Sequence, residues 1–246
     1  MPDTIYWTLV NSHQVPPEAW QVLSASELAR YRAFRFPKRG REWLLGRWAA
    51  KALTHSLPAY RQYPLDQIEI GTMPEGAPYL RLPDRAAEAG YLTISHSGDL
   101  AACALATRPE LQIGIDLEKI EARPGSFVND YFTRSEQQLV EQVPEDSRAL
   151  VTTLVWSVKE SMLKALGVGL HWDTRRVEVS GLADSLSGEV DPAGWREISI
   201  REQPASGRVW MARWRRQEAF VLTLAGYSAA QAPIHSARLL EQHIEE

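Results

Sequence analysis

An α+β fold of two similar subdomains is predicted by three observations. Both halves of the chain run from helical stretches into a series of strand-length apolar runs. The join between the series falls near residue 112, giving expected subdomains 1–112 and 113–246. The 246 residues are enough for one large domain or two small ones, each with its own core.

The elements follow in order. Ile5 to Val10 (IYWTLV) alternates as a strand. Ser24-Ala-Ser-Glu27 is a capping-box pattern that opens a helix through Leu28 and Tyr31. A basic stretch from Arg30 to Arg41 leads into Trp43 to Leu53, apolar at helical spacing. After Pro64 come short apolar runs at 68–70, 78–82, 91–95, 100–106 and 113–117, separated by Gly, Pro and Asp. The second half opens with a break at Ala122 to Gly125, followed by Phe127 to Phe132. Thr133-Arg-Ser-Glu136 is suited to cap a helix through Val143. Residues 147–166 form one long helical pattern, closed by Gly167 and Gly169. RRVEVS, WREISI, RVWMARW and FVLTLAG then read as four strands. No strict sequence repeat accompanies this twofold pattern.

Composition narrows the function classes. Hydrophobic content of 44% and charged content of 24% are ordinary for a globular protein. A net charge of −4 argues against a generally nucleic-acid-binding surface. Cys103 is the single cysteine, so there is neither an internal disulfide nor a cysteine-based zinc site. No apolar run approaches the ~20 residues of a membrane span. The start MPDTIYWTLV has no basic segment before a long apolar one, and the expected location is the cytoplasm.

Two acidic motifs carry the chemistry. In IGIDLE, strand alternation places Gly114, Asp116 and Glu118 on one face. The two carboxylates stand about 6.6 Å apart along the strand, within reach of one ion. Hard oxygen ligands suit Mg²⁺, which takes further oxygens from phosphate substrates. Alone, this pattern also describes a half-exposed strand. In WSVKESMLK, Trp156, Glu160 and Lys164 line one helix face, with Lys159 beside Glu160 on a neighbouring face. A Glu–Lys pair at this spacing is also a common surface stabiliser. SHSGD (Ser95 to Asp99) has the composition of a hairpin turn, yet its hydroxyl, imidazole and backbone N–H groups are also suited to cradle a phosphate.

These segments, taken in order, resemble the Sfp type of 4′-phosphopantetheinyl transferase. The resemblance covers about residues 24 to 172: the basic entry before LLGR, the Gly-x-Pro of GAPYL, YLTISHSG, IGIDLE, FTRSE and WSVKESMLKALGVGL. It implies a pseudo-dimeric α+β fold with coenzyme A bound in the cleft between similar subdomains. It implies transfer of the phosphopantetheine arm from coenzyme A to a serine of an apo acyl or peptidyl carrier protein, releasing adenosine 3′,5′-bisphosphate. Matched residue by residue, Asp116, Glu118 and Glu160 would hold Mg²⁺, with Asp116, Glu160 and Lys164 carrying catalysis. Arg30, Arg41, Gly76, Pro78, Ser95, His96, Lys159 and Lys164 would meet coenzyme A. The proton acceptor for the serine is either Glu160 or a metal-bound water. A monomer is expected, since one chain supplies both halves.

Three positions depart from the family pattern, each with less positive charge: Ala77 between Gly76 and Pro78, Val168 after the long helix, and Glu42 before Trp43. They bear on coenzyme A affinity and carrier choice. The candidate carrier-docking segment is Arg123 to Arg134, where Phe127, Val128, Tyr131 and Phe132 offer an apolar patch with basic neighbours. Arg213, Arg215 and Arg216 could form a second basic patch. Two alternatives are a non-catalytic relative that binds coenzyme A or a carrier protein, and a Mg²⁺-dependent pyrophosphate hydrolase.

Overall fold

A computed structural model describes residues 4–16, 18–84, 91–108, 110–228 and 238–241. The chain forms two compact units, Met1–Leu111 with Ser236–Glu246, and Gln112–His235.

The first unit contains β1 (Thr4–Asn11), α1 (Ala25–Arg32), α2 (Pro37–Ser56), β2 (Glu69–Thr72), β3 (Pro78–Arg81), β4 (Tyr91–Ser97) and β5 (Leu100–Ala106). Helix α2 begins with proline at a position that needs no N–H donor, and lies across β1, β4 and β5. It buries Ala49, Ala50 and Leu53 in a core with Val10, Leu92, Cys103 and Leu105. β2 and β3 form a separate antiparallel hairpin.

The second unit contains β6 (Leu111–Lys119), α3 (Gly125–Tyr131), α4 (Arg134–Gln142), α5 (Glu145–Ala165), β7 (Val177–Ser180), α6 (Leu182–Ser187), β8 (Arg196–Glu197), β9 (Ser199–Glu202), β10 (Trp210–Gln217) and β11 (Phe220–Ser228). Its main sheet has the order β6-β11-β10-β8, and α5 packs against β11. The long helix ends at a left-handed Gly167, whose N–H donates to the Lys164 carbonyl. A last strand, β12 (Arg238–Glu241), pairs in parallel with β1 and completes the first unit's sheet, β12-β1-β5-β4.

The two units repeat one wiring. Ser24 and Thr133 each cap a helix reciprocally with a glutamate, Glu27 and Glu136. Each glutamate is buried, accepts a backbone N–H from the unit's small two-stranded sheet (Ile70 of β2–β3 or Val179 of β7–β9), and pairs with a fully buried lysine of the long helix, Lys51 or Lys159. Each lysine also donates to two backbone carbonyls, Val22 and Leu65 in one unit, Thr174 and Val177 in the other. A buried ion pair is tolerated only when its remaining protons and lone pairs are satisfied, and both meet that condition.

Three features differ from expectation. WREISI is two strands rather than one: Arg196–Glu197 pairs with β10 while Ser199–Glu202 pairs with β7, so the chain changes partner at Ile198. Helix α6 was not foreseen. The expected second subdomain ran to residue 246, but β12 falls in the first unit because its backbone pairs with β1.

Candidate active site

The carboxylates of the second unit meet through a close approach of helix to strand. A Cβ on Gly114 would collide with the Ser161 carbonyl and come within 2.7 Å of the Ala165 amide nitrogen and 2.9 Å of Lys164 Cβ. Glycine therefore lets α5 lie directly on β6. The strand face that carries Gly114 also carries Asp116 and Glu118, and it opposes Ser157, Glu160 and Lys164 on α5. Ligand oxygens of Asp116, Glu118 and Glu160 lie within 4.8 Å of one another.

Asp116 is buried, and both its oxygens are engaged. Lys164 Nζ donates to Oδ1 at 2.7 Å and to the Ile115 carbonyl at 3.2 Å. Ser157 Oγ donates to Oδ2 at 2.7 Å. Lys164 also stands 3.8 Å from Glu160 Oε2. Glu118 accepts from Arg123 Nη2 at 2.6 Å and from the Trp156 indole.

The charges are unbalanced in a telling way. Burial, then the charge of Asp116, raises the Glu160 carboxyl to about 8 despite Lys164 beside it. Burial, then Asp116, likewise raises Glu118, with Arg123 and Lys164 opposing. Burial disfavours the Lys164 ammonium, but Asp116 and Glu160 outweigh it and hold its pKa above the usual value. Burial and the charge of Asp116 thus raise both carboxyls despite the cationic side chains beside them. A hard divalent cation bound by oxygen would remove that cost, so the donor set fits Mg²⁺.

A second candidate region lies within the first unit: a cavity of about 410 Å³ between α1, α2, the β2–β3 hairpin and β4. Arg30, Gly76, Pro78 and His96, all expected to meet coenzyme A, line it. Arg39, Trp43, Arg47 and Thr72 line it too, and sequence reasoning did not single them out. Arg30 and Arg47 both reach Thr72 Oγ1, at 3.3 and 3.4 Å, and both guanidinium groups lie over the Trp43 ring, at 5.6 and 4.6 Å. Burial pulls Arg47 down to about 10, with Glu27 opposing, and it remains cationic at neutral pH. The arginine of LLGR was the available signal for Arg47. Glu42 also lines this cavity and brings a negative charge to it.

Other expected residues lie elsewhere. Lys159 is fully buried and committed to Glu136 and two carbonyls, which corrects its assignment to coenzyme A. Its position beside Glu160 in sequence turns it onto another helix face. Ser95 is buried on β4, and Arg41 is exposed on α2 outside the cavity lining. In the Arg123–Arg134 segment, Phe132 belongs to the core rather than to a docking patch. Tyr131 is exposed, and Phe127, Tyr131 and Trp156 form a mutual aromatic cluster with centroids about 5 Å apart, capped by Arg123 over Phe127. No helix among the described residues is long and apolar enough to cross a membrane.

Comparison with known proteins places this geometry among relatives. Residues 112–225, which hold all three carboxylates and Lys164, match the 4′-phosphopantetheinyl transferase superfamily. The chain is 35% identical over 152 residues to the 4′-phosphopantetheinyl transferase HetI of Nostoc sp., covering 60% of this chain and 61% of that one. It is 33% identical over 115 residues to the 4′-phosphopantetheinyl transferase of Bacillus subtilis, covering 46% and 48%. The slr0495 protein of Synechocystis sp. is 26% identical over 221 residues, covering 86% and 87%. The matched stretches thus span less than two thirds of HetI and about half of the Bacillus relative.

Proposed function

We propose that the chain is a 4′-phosphopantetheinyl transferase, the superfamily its residues 112–225 match, and that it transfers the phosphopantetheine arm of coenzyme A to a serine of an apo carrier protein. The observation that carries this reading is the set of three carboxylates within 4.8 Å, with Lys164 in contact with Asp116. In the reaction the carrier serine oxygen bonds to the phosphorus of the phosphopantetheine phosphate. The bond from that phosphorus to the bridging oxygen breaks, and adenosine 3′,5′-bisphosphate leaves. Catalysis of phosphoryl transfer rests on positioning and on neutralising charge.

Asp116, Glu118 and Glu160 would hold Mg²⁺, which when bound supplies charge neutralisation at the pyrophosphate. Lys164 adds a fixed positive charge, itself oriented by Asp116. The serine proton would pass to a Glu160 carboxylate oxygen or to a water beside it. The cavity of Arg30, Arg47, Trp43 and His96 would receive the phosphorylated nucleoside end of coenzyme A, pairing guanidinium groups with phosphate and an aromatic face with the base. Tyr131 and Phe127, with Arg123 and Arg134 nearby, would offer an acidic carrier its apolar and basic contacts.

The test is incubation with apo carrier protein, coenzyme A and Mg²⁺, with the carrier read by intact mass and Glu160→Gln run in parallel. A gain of one phosphopantetheine arm that disappears with EDTA and in the variant is expected. Coenzyme A binding without carrier modification across several carriers would instead support a non-catalytic role. Cleavage of coenzyme A with the carrier unmodified would support a hydrolase.

A further inference from the structure

We propose that Ser157 and Thr223 are positioning residues that fix the Asp116 carboxylate for the metal, an inference that rests on the Mg²⁺ reading above. Three residues from three elements form one buried chain. Ser157 Oγ on α5 donates to Asp116 Oδ2 at 2.7 Å and lies 2.9 Å from Thr223 Oγ1 on β11. Thr223 Oγ1 in turn donates to the Ser157 carbonyl at 2.9 Å. Ser157 and Thr223 are fully buried, and Asp116 nearly so.

The proton count sets a direction. An ionised carboxylate only accepts, so the Ser157 hydroxyl proton is committed to Asp116. The Thr223 proton then goes to the Ser157 carbonyl, and its hydroxyl holds the Ser157 side chain in place. A serine inside a helix commonly bonds back to a carbonyl one turn earlier. Here it is aimed across at the strand instead. With Lys164 on Oδ1 and Ser157 on Oδ2, the Asp116 carboxylate plane is set from both sides.

The first unit supplies an internal control. Lys51 and Lys159 hold the same place, each paired with a capping-box glutamate, and two residues earlier stand Ala49 and Ser157. The hairpins close at Ser97 opposite Leu100 and at Gln217 opposite Phe220; three residues further on stand Cys103 and Thr223. All four are fully buried. At these two positions the first unit packs helix on sheet without hydroxyls, and among the described residues it shows no carboxylate cluster. In the second unit the hydroxyls at the same two positions stand against the carboxylate to be oriented.

The test measures Mg²⁺ affinity of the whole chain by calorimetry for the wild type, Ser157→Ala, Thr223→Val and Thr223→Ser, with transfer kinetics alongside. Outer hydrogen-bond partners of metal ligands are worth roughly 10- to 100-fold in affinity or activity. Ser157→Ala is expected to weaken Mg²⁺ by at least about tenfold. Its transfer activity should recover in part at high Mg²⁺, with the KM for coenzyme A little changed. Thr223→Val should weaken Mg²⁺ as well, and Thr223→Ser should restore it. Wild-type Mg²⁺ affinity in Ser157→Ala, with only a lowered melting temperature, overturns the proposal. If Ser157→Ala does not fold, unchanged affinity in Thr223→Val overturns it equally. A wild type that binds no Mg²⁺ removes the metal reading itself, and this inference with it.

Discussion

Mg²⁺ binding should expel a proton from Glu160. In the metal-free protein this carboxyl is raised from 4.5 to about 8, first by burial and then by Asp116. Below pH 8 it is mostly protonated, whereas a metal ligand must be ionised. Apparent affinity should therefore scale as the ionised fraction, falling about 25-fold between pH 8.5 and pH 6.5. Calorimetric titration in two buffers of different ionisation enthalpy counts the protons directly. About one proton per Mg²⁺ is expected at pH 6.5 and roughly a quarter of one at pH 8.5. Glu160→Gln should bind Mg²⁺ more weakly and lose most of the pH dependence, the remainder belonging to Glu118, whose carboxyl is also raised by burial and Asp116. Affinity that is flat over this range, with no proton released, would refute the electrostatic reasoning.

The same shift has a stability consequence of definite sign. A folded-state pKa above the unfolded one means that the folded protein binds more protons between pH 4.5 and pH 8. This group's stabilising contribution is fully present below pH 4.5 and is lost as pH rises toward 8. Each pH unit inside that window removes about 1.4 kcal/mol, on the order of 4 kcal/mol across it. Metal-free Glu160→Gln, which never ionises, should consequently have a higher urea midpoint than the wild type at pH 8.

Three further outcomes are expected. Gly114→Ala should destabilise the protein by about 1–3 kcal/mol in urea unfolding and weaken Mg²⁺, because its methyl meets backbone of α5 that must move; an unchanged midpoint would contradict the close helix–strand contact. Lys159→Met should cost about 3–5 kcal/mol by leaving the Glu136 charge buried and unpaired, while Glu136→Gln added to it should recover part of the loss. A selective rise in the KM for coenzyme A in the folded Lys159→Met protein would return that lysine to the substrate site. Arg47→Met should raise the KM for coenzyme A roughly 10-fold or more and leave that for the carrier unchanged, since it removes a buried guanidinium from the first unit's cavity.

How much of this was legible in the sequence depended on how local each signal is. Strand alternation put Asp116 and Glu118 on one face, and helical spacing put Glu160 with Lys164; both are short-range rules, and the structure brings the four together. Gly114 was expected to leave room, and the space it leaves is filled by the α5 backbone. Lys159 was misassigned because adjacency in a motif says nothing of helix face or of a glutamate 23 residues away (159 − 136). Arg47 and Thr72 were missed because their meeting depends on how the β2–β3 hairpin folds over α2, which no periodicity encodes. The change of partner at Ile198 and the parallel pairing of β12 are long-range backbone choices of the same kind.

The duplicated scaffold explains why one copy carries the carboxylates and the other the guanidinium groups. Both units use the same buried Glu–Lys pair and capping box to tie a long helix to a small two-stranded sheet. That wiring fixes where the helix face lies without dictating what stands on it. In the second unit the face toward the sheet carries Ser157, Glu160 and Lys164 against Asp116, a carboxylate set with one lysine beside it. In the first unit the turn of α2 before the shared lysine carries Trp43 and Arg47 beside Thr72, a cationic set with an aromatic face. Under the proposed function the acidic set would hold the metal and the cationic set would meet phosphate. One repeated backbone frame thus carries two different side-chain chemistries, each set by the residues placed on the helix face.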